Sequence, residues 1–201
     1  LMNPSFLKNI DFVKNHYKIK FQDYAIVLFH PVTTEIKFLK KNTKIFVDAL
    51  IKSNDKFIVV YPNNDMGSEI IIDQFNKIKN NPNFKIFRSL RFEYFLSLLY
   101  NSKYMIGNSS AGIKEAPYYK IPSINIGTRQ NKRSKSNSII NTICNKNKII
   151  DCIKNINLFK NKKKLLKSNY FGSGNSDKLF IKILKKKEIW NTSKQKQFQD
   201  L

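Results

Sequence analysis

Residues that could bind an anion follow one short apolar segment of this 201-residue chain. The stretch Gly107-Asn108-Ser109-Ser110-Ala111-Gly112 combines small residues, which let a ligand approach the backbone, with two hydroxyls that can donate hydrogen bonds. Together with the N-terminus of a following helix, these are the parts of a phosphate site. Taken alone, the loop favours the simpler interpretation that Ser109 or Ser110 caps that helix.

Two ionisable side chains near this loop could extend it into a nucleotide or sugar site. Glu115 lies about one turn into the helix predicted after the loop, where its carboxylate could accept hydrogen bonds from a pair of sugar hydroxyls. Its spacing fits a helix-dipole or surface role equally well. Arg129 could hold a phosphate oxygen with its forked guanidinium, although an exposed loop charge is the commoner role of such a residue.

His30 and Asn63 follow two other apolar segments. His30 is one of two histidines, and at the end of a strand its imidazole could bind or protonate a diphosphate. A lone histidine is more often structural, and His16, which lacks such a context, is predicted to be structural. Asn63 lies in a stretch, 61–68, that fits an ordinary turn with a capping side chain, so by itself it indicates no ligand.

The segments between these residues predict the scaffold that brings them together. Short apolar runs predict five strands, at 24–29, 57–62, 84–87, 104–107 and 122–127. Amphipathic runs between them predict helices, at 34–52, 67–79, 91–102 and 111–119. This alternation is typical of an α/β fold, a Rossmann-like parallel sheet with helices on both faces. Because ligands bind at the carboxyl ends of the strands of such a sheet, the polar loops should share one rim.

Flanking segments complete the predicted organisation. Residues 1–22 have weak periodicity and are predicted to be a connector that could contain one helix, whereas 23–190 form the sheet domain. Within that domain, 138–156 is predicted to add a sixth strand and a helix, and 178–190 to form an amphipathic terminal helix. Residues 191–201 are predicted to be a frayed tail.

The composition limits the class of protein. A formal net charge of +23 would suit a nucleic-acid partner. The lysines are spread through nearly every segment, however, so a basic nucleic-acid-binding module is a remote alternative and no nucleic-acid partner is predicted. The two cysteines have no disulfide or zinc-site spacing, and no apolar run approaches the roughly 20 residues that span a bilayer. These features predict a cytoplasmic protein with neither a membrane segment nor a metal site.

Four stretches, taken together, resemble one protein family. They occur in the order of the C-terminal half of the hydrolysing UDP-N-acetylglucosamine 2-epimerases, and they are HPVTTEI (30–36), YPNNDMGSEI (61–70), IGNSSAGIKEAP (106–117) and INIGTRQNKR (124–133). That group is similar to enzymes of sialic-acid biosynthesis and to bacterial relatives, of the legionaminic-acid type, that act on UDP-diacetylbacillosamine. The resemblance covers about residues 23–156, and YFGSGNSDKLFIKIL at 170–184 is similar to the family's closing glycine-rich turn and helix.

The resemblance implies both an architecture and a site. The architecture is the C-terminal half of a glycosyltransferase-B-type fold, in which two Rossmann-like domains enclose a UDP-sugar. The diphosphate would bind at Ser109 and Ser110, and the uridine ribose at Glu115. Leu90 would present its backbone to the base. The remaining positions that would line the nucleotide pocket are His30, Asn63 and Arg129.

The same resemblance implies a reaction. Removal of the proton at C2 of the sugar and expulsion of UDP give a glycal-type intermediate, to which water adds, releasing a free sugar of the manno configuration. His30 would contact the leaving diphosphate and could transfer a proton, while preorganised donors such as Arg129 would stabilise the developing charge. The acid and base carboxylates resemble residues of a preceding domain that lies outside these 201 residues. The isolated chain is therefore predicted to be inactive, and no metal or cofactor is expected.

Two other activities fit the same nucleotide site. A non-hydrolysing epimerase would return UDP to the intermediate and release UDP-N-acetylmannosamine, whereas a glycosyltransferase would require an acceptor. The residues at 30–35 and 127–130 favour hydrolysis through their resemblance to the hydrolysing enzymes. The predicted partners are a UDP-sugar and the N-terminal domain of the same enzyme, and a homo-oligomer is expected of the full-length form.

Overall fold

The computed structural model describes residues 4–162, 165, 170–172 and 175–191. The chain divides into two compact units, Leu1–Tyr170 and Phe171–Leu201. The first unit contains the sheet and all the site residues predicted above. The described part of the second unit consists mainly of two short helices.

Six parallel strands form one sheet in the order β3-β2-β1-β4-β5-β6. The strands are β1 Ala25–Leu28, β2 Phe57–Val60, β3 Phe84–Phe87, β4 Met105–Gly107, β5 Ser123–Ile126 and β6 Ile139–Thr142. The five predicted strands and the additional sixth strand are confirmed. β1 pairs with β2 on one side and with β4 on the other, so the strand order reverses there. In open α/β sheets, ligands bind at this topological switch point.

Helices connect and cover the strands. Those of the described residues are α1 Ile10–His16, α2 Ile36–Ser53, α3 Ser68–Asn76, α4 Phe92–Tyr100, α5 Glu115–Tyr118, α6 Lys146–Lys154, α7 Ile156–Lys162, α8 Ser176–Leu184 and α9 Lys187–Trp190. Three 3-10 turns lie at Pro4–Phe6, Thr33–Glu35 and Ser110–Gly112. In the part of the chain that the structure describes, no helix has the length and apolar character needed to cross a membrane.

The two faces of the sheet bury separate cores. Along β1, Ala25 and Val27 pack on the face covered by α2, α3 and α6, whereas Ile26 and Leu28 pack on the face covered by α1, α4 and α5. Successive strand residues point to opposite faces, so a strand that is covered on both sides needs a continuous apolar run. The Rossmann-like α/β fold with helices on both faces is therefore confirmed.

The helix predicted at 111–119 is wrong in extent. A 3-10 turn at Ser110–Gly112 comes first, and α5 that follows it is only four residues long. Lys114 precedes α5 with φ −108° and ψ −67°, away from regular helical values, and Pro117 has no N–H to continue an earlier helix. Glu115 therefore begins α5 instead of lying one turn inside a longer helix. So short a helix contributes little dipole to an anion site.

The single terminal helix predicted at 178–190 is also wrong, because α8 ends at Leu184 and α9 starts at Lys187. The break falls in the lysine triplet 185–187. Lys182 and Lys186 are four residues apart, a spacing at which like charges destabilise a helix. Residues 192–201, nearly all of the predicted tail, lie outside the described residues.

Candidate functional site

The loops after β1 and β4 leave the sheet side by side at the switch point. Leu28 is in register with Gly107, so His30 and Asn108 follow at the same carboxyl edge. Gly107 has a φ of +141°, and a Cβ at this position would lie 1.9 Å from the carbonyl oxygen of Leu28. Only glycine tolerates both the torsion and the close approach of the two backbones.

Asn108 joins three loops by hydrogen bonds. Its side-chain Oδ1 accepts from the backbone N–H of His30 at 2.7 Å, and its Nδ2 donates to the carbonyl of His30 at 2.8 Å. Its own carbonyl accepts from Nη1 of Arg129 at 3.2 Å and from Nε2 of Gln130 at 2.8 Å. Asn108 is 1% exposed. These four residues, called the Asn108 network below, connect the loops after β1, β4 and β5.

The loop after β5 supplies the positive charge of this network. Burial lowers the pKa of Arg129 somewhat, and Arg133 acts in the same direction, whereas the negative charge of Asp65 raises it. An arginine stays protonated in spite of such effects. Nη1 of Arg133 donates to Oε1 of the buried Gln130 at 2.9 Å. A half-buried guanidinium with unused donors is thus held at the switch point.

A cleft of about 570 Å³, a size usual for small-ligand sites, lies beside the network. Its lining is Pro31, Val32, Thr33, Thr34, Glu35, Asp65, Thr128 and Arg129. The hydroxyl of Thr128 donates to the carboxylate of Glu35, which ties the loop after β5 to the loop after β1. The guanidinium of Arg129 and the threonine hydroxyls suit a phosphate, whereas the carboxylates of Glu35 and Asp65 suit hydroxyl or N–H donors of a polar ligand.

A second cleft, of about 550 Å³, lies at the opposite, amino edge of the sheet and includes Lys20, Asn54 and Lys103 in its lining. It contains none of the predicted site residues. The carboxyl edge, where the predicted residues and the switch point coincide, is therefore the candidate functional site. No group of three or more His, Cys, Asp and Glu side chains suited to a metal ion occurs among the described residues.

His30 is electrically neutral at pH 7. Burial, and then the positive charge of Arg129, lower the pKa of this histidine to about 4, while Asp65 acts in the opposite direction. The residue is 6% exposed, and its Nδ1 is buried and has no hydrogen-bond partner in the part of the chain that the structure describes. Buried polar atoms are normally satisfied. A neutral imidazole with one N–H donor can contact an anion here while Arg129 supplies the charge.

Glu115 contains a second buried polar atom, its Oε2, that has no hydrogen-bond partner within the described ranges. Burial raises the pKa of this carboxyl, and a hydrogen bond from its own backbone and the charge of Lys114 partly offset that rise. The hydroxyl of Tyr119, whose pKa burial raises to about 12, is the third such atom within the described residues. Two of the three unpartnered atoms therefore belong to residues that the sequence analysis had selected.

The two serines lie directly after Asn108 and are half-buried. Oγ of Ser109 accepts a hydrogen bond from the N–H of Ala111 at 3.3 Å, so Ser109 caps the 3-10 turn as the simpler interpretation expected. Capping uses the oxygen only as an acceptor, and the O–H remains able to donate to an anion. The cap and the predicted anion contact are therefore compatible.

Asn63 and Leu90 follow β2 and β3 at the same edge of the sheet. Asn63 is exposed, and its carbonyl accepts a hydrogen bond from the hydroxyl of Ser68. Leu90 is half-buried and packs against the core on the α4 side. The N–H of the next residue, Arg91, donates to the hydroxyl of Tyr17 at 3.1 Å. Among the described residues, neither Asn63 nor Leu90 shares a hydrogen bond with the Asn108 network.

Sequence reasoning placed Asn108, Gln130 and Asp65 in rim loops but did not single them out. The signal available for Asn108 was its position immediately after the glycine that ends a buried strand. Nothing local distinguishes Gln130 from its polar neighbours, because its burial depends on Asn108, which is distant in sequence and close only in the folded sheet.

Comparison with known proteins gives a consistent family. A family model described as UDP-N-acetylglucosamine 2-epimerase matches residues 3–185. The UDP-N-acetylglucosamine 2-epimerase of Neisseria meningitidis serogroup B is 40% identical over 204 aligned positions, which cover all of this chain and 53% of that protein. The UDP-N,N'-diacetylbacillosamine 2-epimerase (hydrolyzing) of Legionella pneumophila is 29% identical over 161 positions, covering 80% of this chain and 42% of that protein.

A solved structure shows the same fold. The UDP-GlcNAc 2-epimerase of Methanocaldococcus jannaschii, in complex with UDP-GlcNAc and UDP, matches with a TM-score of 0.69 and 22% identity, over 88% of this chain and 49% of that one. The chain thus spans about half the length of the proteins that it matches. Since the family model covers nearly the whole sequence and the motifs that carry the resemblance lie along one rim, the chain belongs to the UDP-N-acetylglucosamine 2-epimerase family.

Proposed function

We propose that this chain is the nucleotide-binding, C-terminal half of a hydrolysing UDP-N-acetylglucosamine 2-epimerase, and that the carboxyl rim of its sheet binds the UDP part of a UDP-sugar. One observation carries the proposal. His30 and Glu115, both selected from the sequence, each hold a buried polar atom that has no hydrogen-bond partner among the described residues. A bound nucleotide would satisfy both atoms, which otherwise leave a free-energy penalty of about 1–3 kcal/mol each.

The diphosphate would bind where the loops after β1, β4 and β5 meet. Ser109 and Ser110 offer hydroxyl donors, and Arg129 offers the charge and the donors that its bond to Asn108 leaves unused. His30 would donate from a neutral imidazole, because its pKa lies at about 4 in the unliganded protein. A nearby diphosphate would raise that pKa, so a proton could be taken up as negative charge develops on the leaving group.

The nucleoside would extend from there toward β3. The carboxylate of Glu115 would accept hydrogen bonds from the two ribose hydroxyls, replacing the partner that Oε2 lacks. Leu90 would present backbone groups to the base, and Asn63 would complete the pocket. This arrangement runs across the switch point from β5 toward β3, in agreement with where nucleotides bind in doubly wound sheets.

The reaction we propose for the complete enzyme is hydrolytic. A base removes the C2 proton of the sugar, and the bond from C1 to the diphosphate oxygen breaks with its electron pair leaving on UDP. Water then adds across the resulting double bond, with its hydroxyl at C1 and a proton at C2, to give a free manno-configured sugar. The residues of this chain would stabilise UDP as it leaves. The acid and base carboxylates would come from an N-terminal domain, and homo-oligomerisation and a cytoplasmic location stay predictions.

Titration calorimetry with UDP tests the nucleotide site on this chain. We expect weak but saturable binding, and we expect Glu115→Gln to weaken binding of UDP and of uridine while leaving binding of pyrophosphate unchanged. Asp73→Asn, at an exposed position of α3, is the control. The chain alone should release no UDP from UDP-N-acetylglucosamine. Absence of UDP binding, or turnover by the chain alone, would contradict the proposal.

A non-hydrolysing epimerase is the second candidate. The N. meningitidis relative, which is 40% identical, is named a UDP-N-acetylglucosamine 2-epimerase without the word hydrolyzing, whereas the name of the L. pneumophila relative, which is 29% identical, includes it. Product analysis with the full-length enzyme separates the two activities. Free N-acetylmannosamine, or its 2,4-diacetamido counterpart, together with UDP supports hydrolysis. Formation of UDP-N-acetylmannosamine without net release of UDP supports the second candidate, and activity only with an added acceptor would indicate a glycosyltransferase.

A further inference from the structure

We propose that Asn108 is a positioning residue that fixes the three loops of the diphosphate site in one geometry before the ligand binds. This inference rests on the proposed function, since it concerns how that site is built. Asn108 is too deeply buried to be a principal ligand contact. Its effect would therefore pass through the residues that it holds.

The side chain of Asn108 is hydrogen-bonded to the loop after β1. Its amide uses both ends on the backbone of His30, accepting from the N–H and donating to the carbonyl, across 78 residues of sequence. Such a pair of bonds fixes the height and rotation of the His30 backbone relative to β4. Neither alanine nor serine at this position could form both bonds, because one lacks polar side-chain atoms and the other has a shorter, single hydroxyl.

The main chain of Asn108 performs the corresponding task for the loop after β5. Its carbonyl oxygen accepts from Arg129 and Gln130, the second of which is itself bonded to Arg133. The next residue along the chain is Ser109. A displacement of Asn108 would therefore move the hydroxyl of Ser109, the imidazole of His30 and the guanidinium of Arg129 together. None of these three side chains would itself be altered by a substitution of Asn108.

A merely structural role for Asn108 predicts a different result, and the protein contains a matched control. Asn125, in β5, is 3% exposed, and its Nδ2 donates to Oδ1 of Asn141 at 2.8 Å. It is a buried asparagine of the same sheet that makes a side-chain hydrogen bond away from the Asn108 network. Replacing Asn125 tests the loss of a buried amide without the connection to the three loops.

The experiment compares Asn108→Ala and Asn108→Ser with Asn125→Ala and Asn125→Ser in the full 201-residue chain. Titration calorimetry with UDP and with uridine gives two dissociation constants for each variant. We expect both Asn108 variants to raise the Kd for UDP at least tenfold and to change the Kd for uridine less than twofold. Both Asn125 variants should stay within twofold of the wild type for both ligands.

The outcomes distinguish this inference from the proposed function. If the wild type binds no UDP, the proposed function fails and the inference fails with it. If the wild type binds UDP and the Asn108 variants bind it equally well, or lose UDP and uridine affinity in the same ratio, only the inference is overturned. The ratio of the two affinities is the decisive quantity, because a general loss of folded protein lowers both alike.

A measurement on the wild type decides the matter if the Asn108 variants do not fold. Pyrophosphate, which contains no nucleoside, is added while the side-chain amide signals are followed by nuclear magnetic resonance. We expect the signals of Asn108 to shift in a saturable manner and those of Asn125 to stay in place. The backbone amide of Ser109 reports pyrophosphate binding in the same spectra. Unchanged side-chain signals of Asn108 at pyrophosphate concentrations that shift this backbone amide would overturn the inference.

Discussion

The diphosphate side and the base side of the proposed site are built in different ways. On the diphosphate side, Asn108 is almost completely buried and its hydrogen bonds hold residues from two other loops. On the base side, Asn63 is exposed and Leu90 is half-buried, and the loop that contains Leu90 is held from outside the sheet by the hydroxyl of Tyr17. Buried hydrogen bonds within the sheet domain thus hold the diphosphate side in place. The base side is held by a contact nearer the surface.

The position of each half in the sheet explains this difference. β1 and β4 are interior strands with parallel neighbours on both sides, so their loops can share buried hydrogen bonds. β3 is an edge strand whose residues after Phe84 are only partly buried. Hydrogen bonds formed at an exposed edge compete with water and stabilise a loop less. The comparison predicts that substitutions near the switch point have larger effects than those near β3.

The largest effect is expected from Gly107→Ala. The new Cβ would lie 1.9 Å from the carbonyl oxygen of Leu28, at a φ of +141° that alanine rarely adopts. Because β1 and β4 would have to move apart, the free energy of unfolding should fall by about 3 kcal/mol or more. Urea unfolding followed by circular dichroism measures it. Gly127→Ala is the control, since φ there is +75° and an added Cβ would have no atom of the described residues within 4 Å. It should lower the free energy of unfolding by only about 1 kcal/mol.

A slightly smaller effect is expected from the pH dependence of stability that His30 contributes. The pKa of His30 is lowered to about 4 in the folded protein, against 6.5 as its ordinary value. The folded state therefore disfavours the protonated form, so this contribution is fully present above pH 6.5 and is lost as the pH falls toward 4. The loss amounts to about 3 kcal/mol at most.

His30→Gln tests this assignment, because glutamine does not titrate. The variant should lose less stability than the wild type between pH 7 and pH 4.5 in urea unfolding, while His16→Gln serves as the control for removing a histidine. Parallel pH profiles for the wild type and His30→Gln would show that the buried imidazole is not responsible. The diphosphate side would then lack the pH-dependent contribution to stability that distinguishes it from the base side.

The sequence predicted the scaffold better than it predicted the connections within it. The strands follow from local apolar runs, and the rim follows from the general rule for parallel sheets. The helices predicted at 111–119 and 178–190 were wrong because their ends are set by individual backbone torsions and by repulsion between lysines. The spacing of apolar residues contains no information about either. The bonds from Asn108 to His30 and Gln130 depend on which strands are neighbours, and the order of strands was not deduced from sequence. Features set by local sequence could therefore be predicted, whereas contacts that depend on the pairing of distant strands could not.

Arg129→Lys is expected to have an intermediate effect, on binding instead of folding. Lysine retains the charge but lacks the fork that lets one guanidinium hold the carbonyl of Asn108 and still face an anion. The Kd for UDP should rise about tenfold, equivalent to about 1.4 kcal/mol, with uridine binding unchanged. Arg88→Lys, at an exposed position after β3, should alter UDP binding less than about twofold. Equal effects of the two substitutions would remove the distinction between the halves.

The smallest effect is expected from Tyr17→Phe on the base side. The substitution removes the acceptor for the N–H of Arg91 but keeps the ring, which packs edge-on against Phe87 and Tyr94 at centroid distances of 5.2 and 5.8 Å. Loss of one partly exposed hydrogen bond costs about 0.5–1 kcal/mol. Uridine and UDP should therefore bind about two- to fivefold more weakly, because the loop that contains Leu90 is less well held.

Pyrophosphate binding distinguishes a local effect of Tyr17→Phe from a general one, since the site proposed for pyrophosphate is at the switch point and its affinity should be unaffected. Tyr94→Phe is the matched control, because it removes a hydroxyl from the same aromatic group without removing the acceptor for Arg91. If Tyr17→Phe weakened pyrophosphate and uridine binding equally, the two halves would be coupled through the core under α4. The diphosphate side and the base side would then form one cooperative site instead of two regions that are held in place independently.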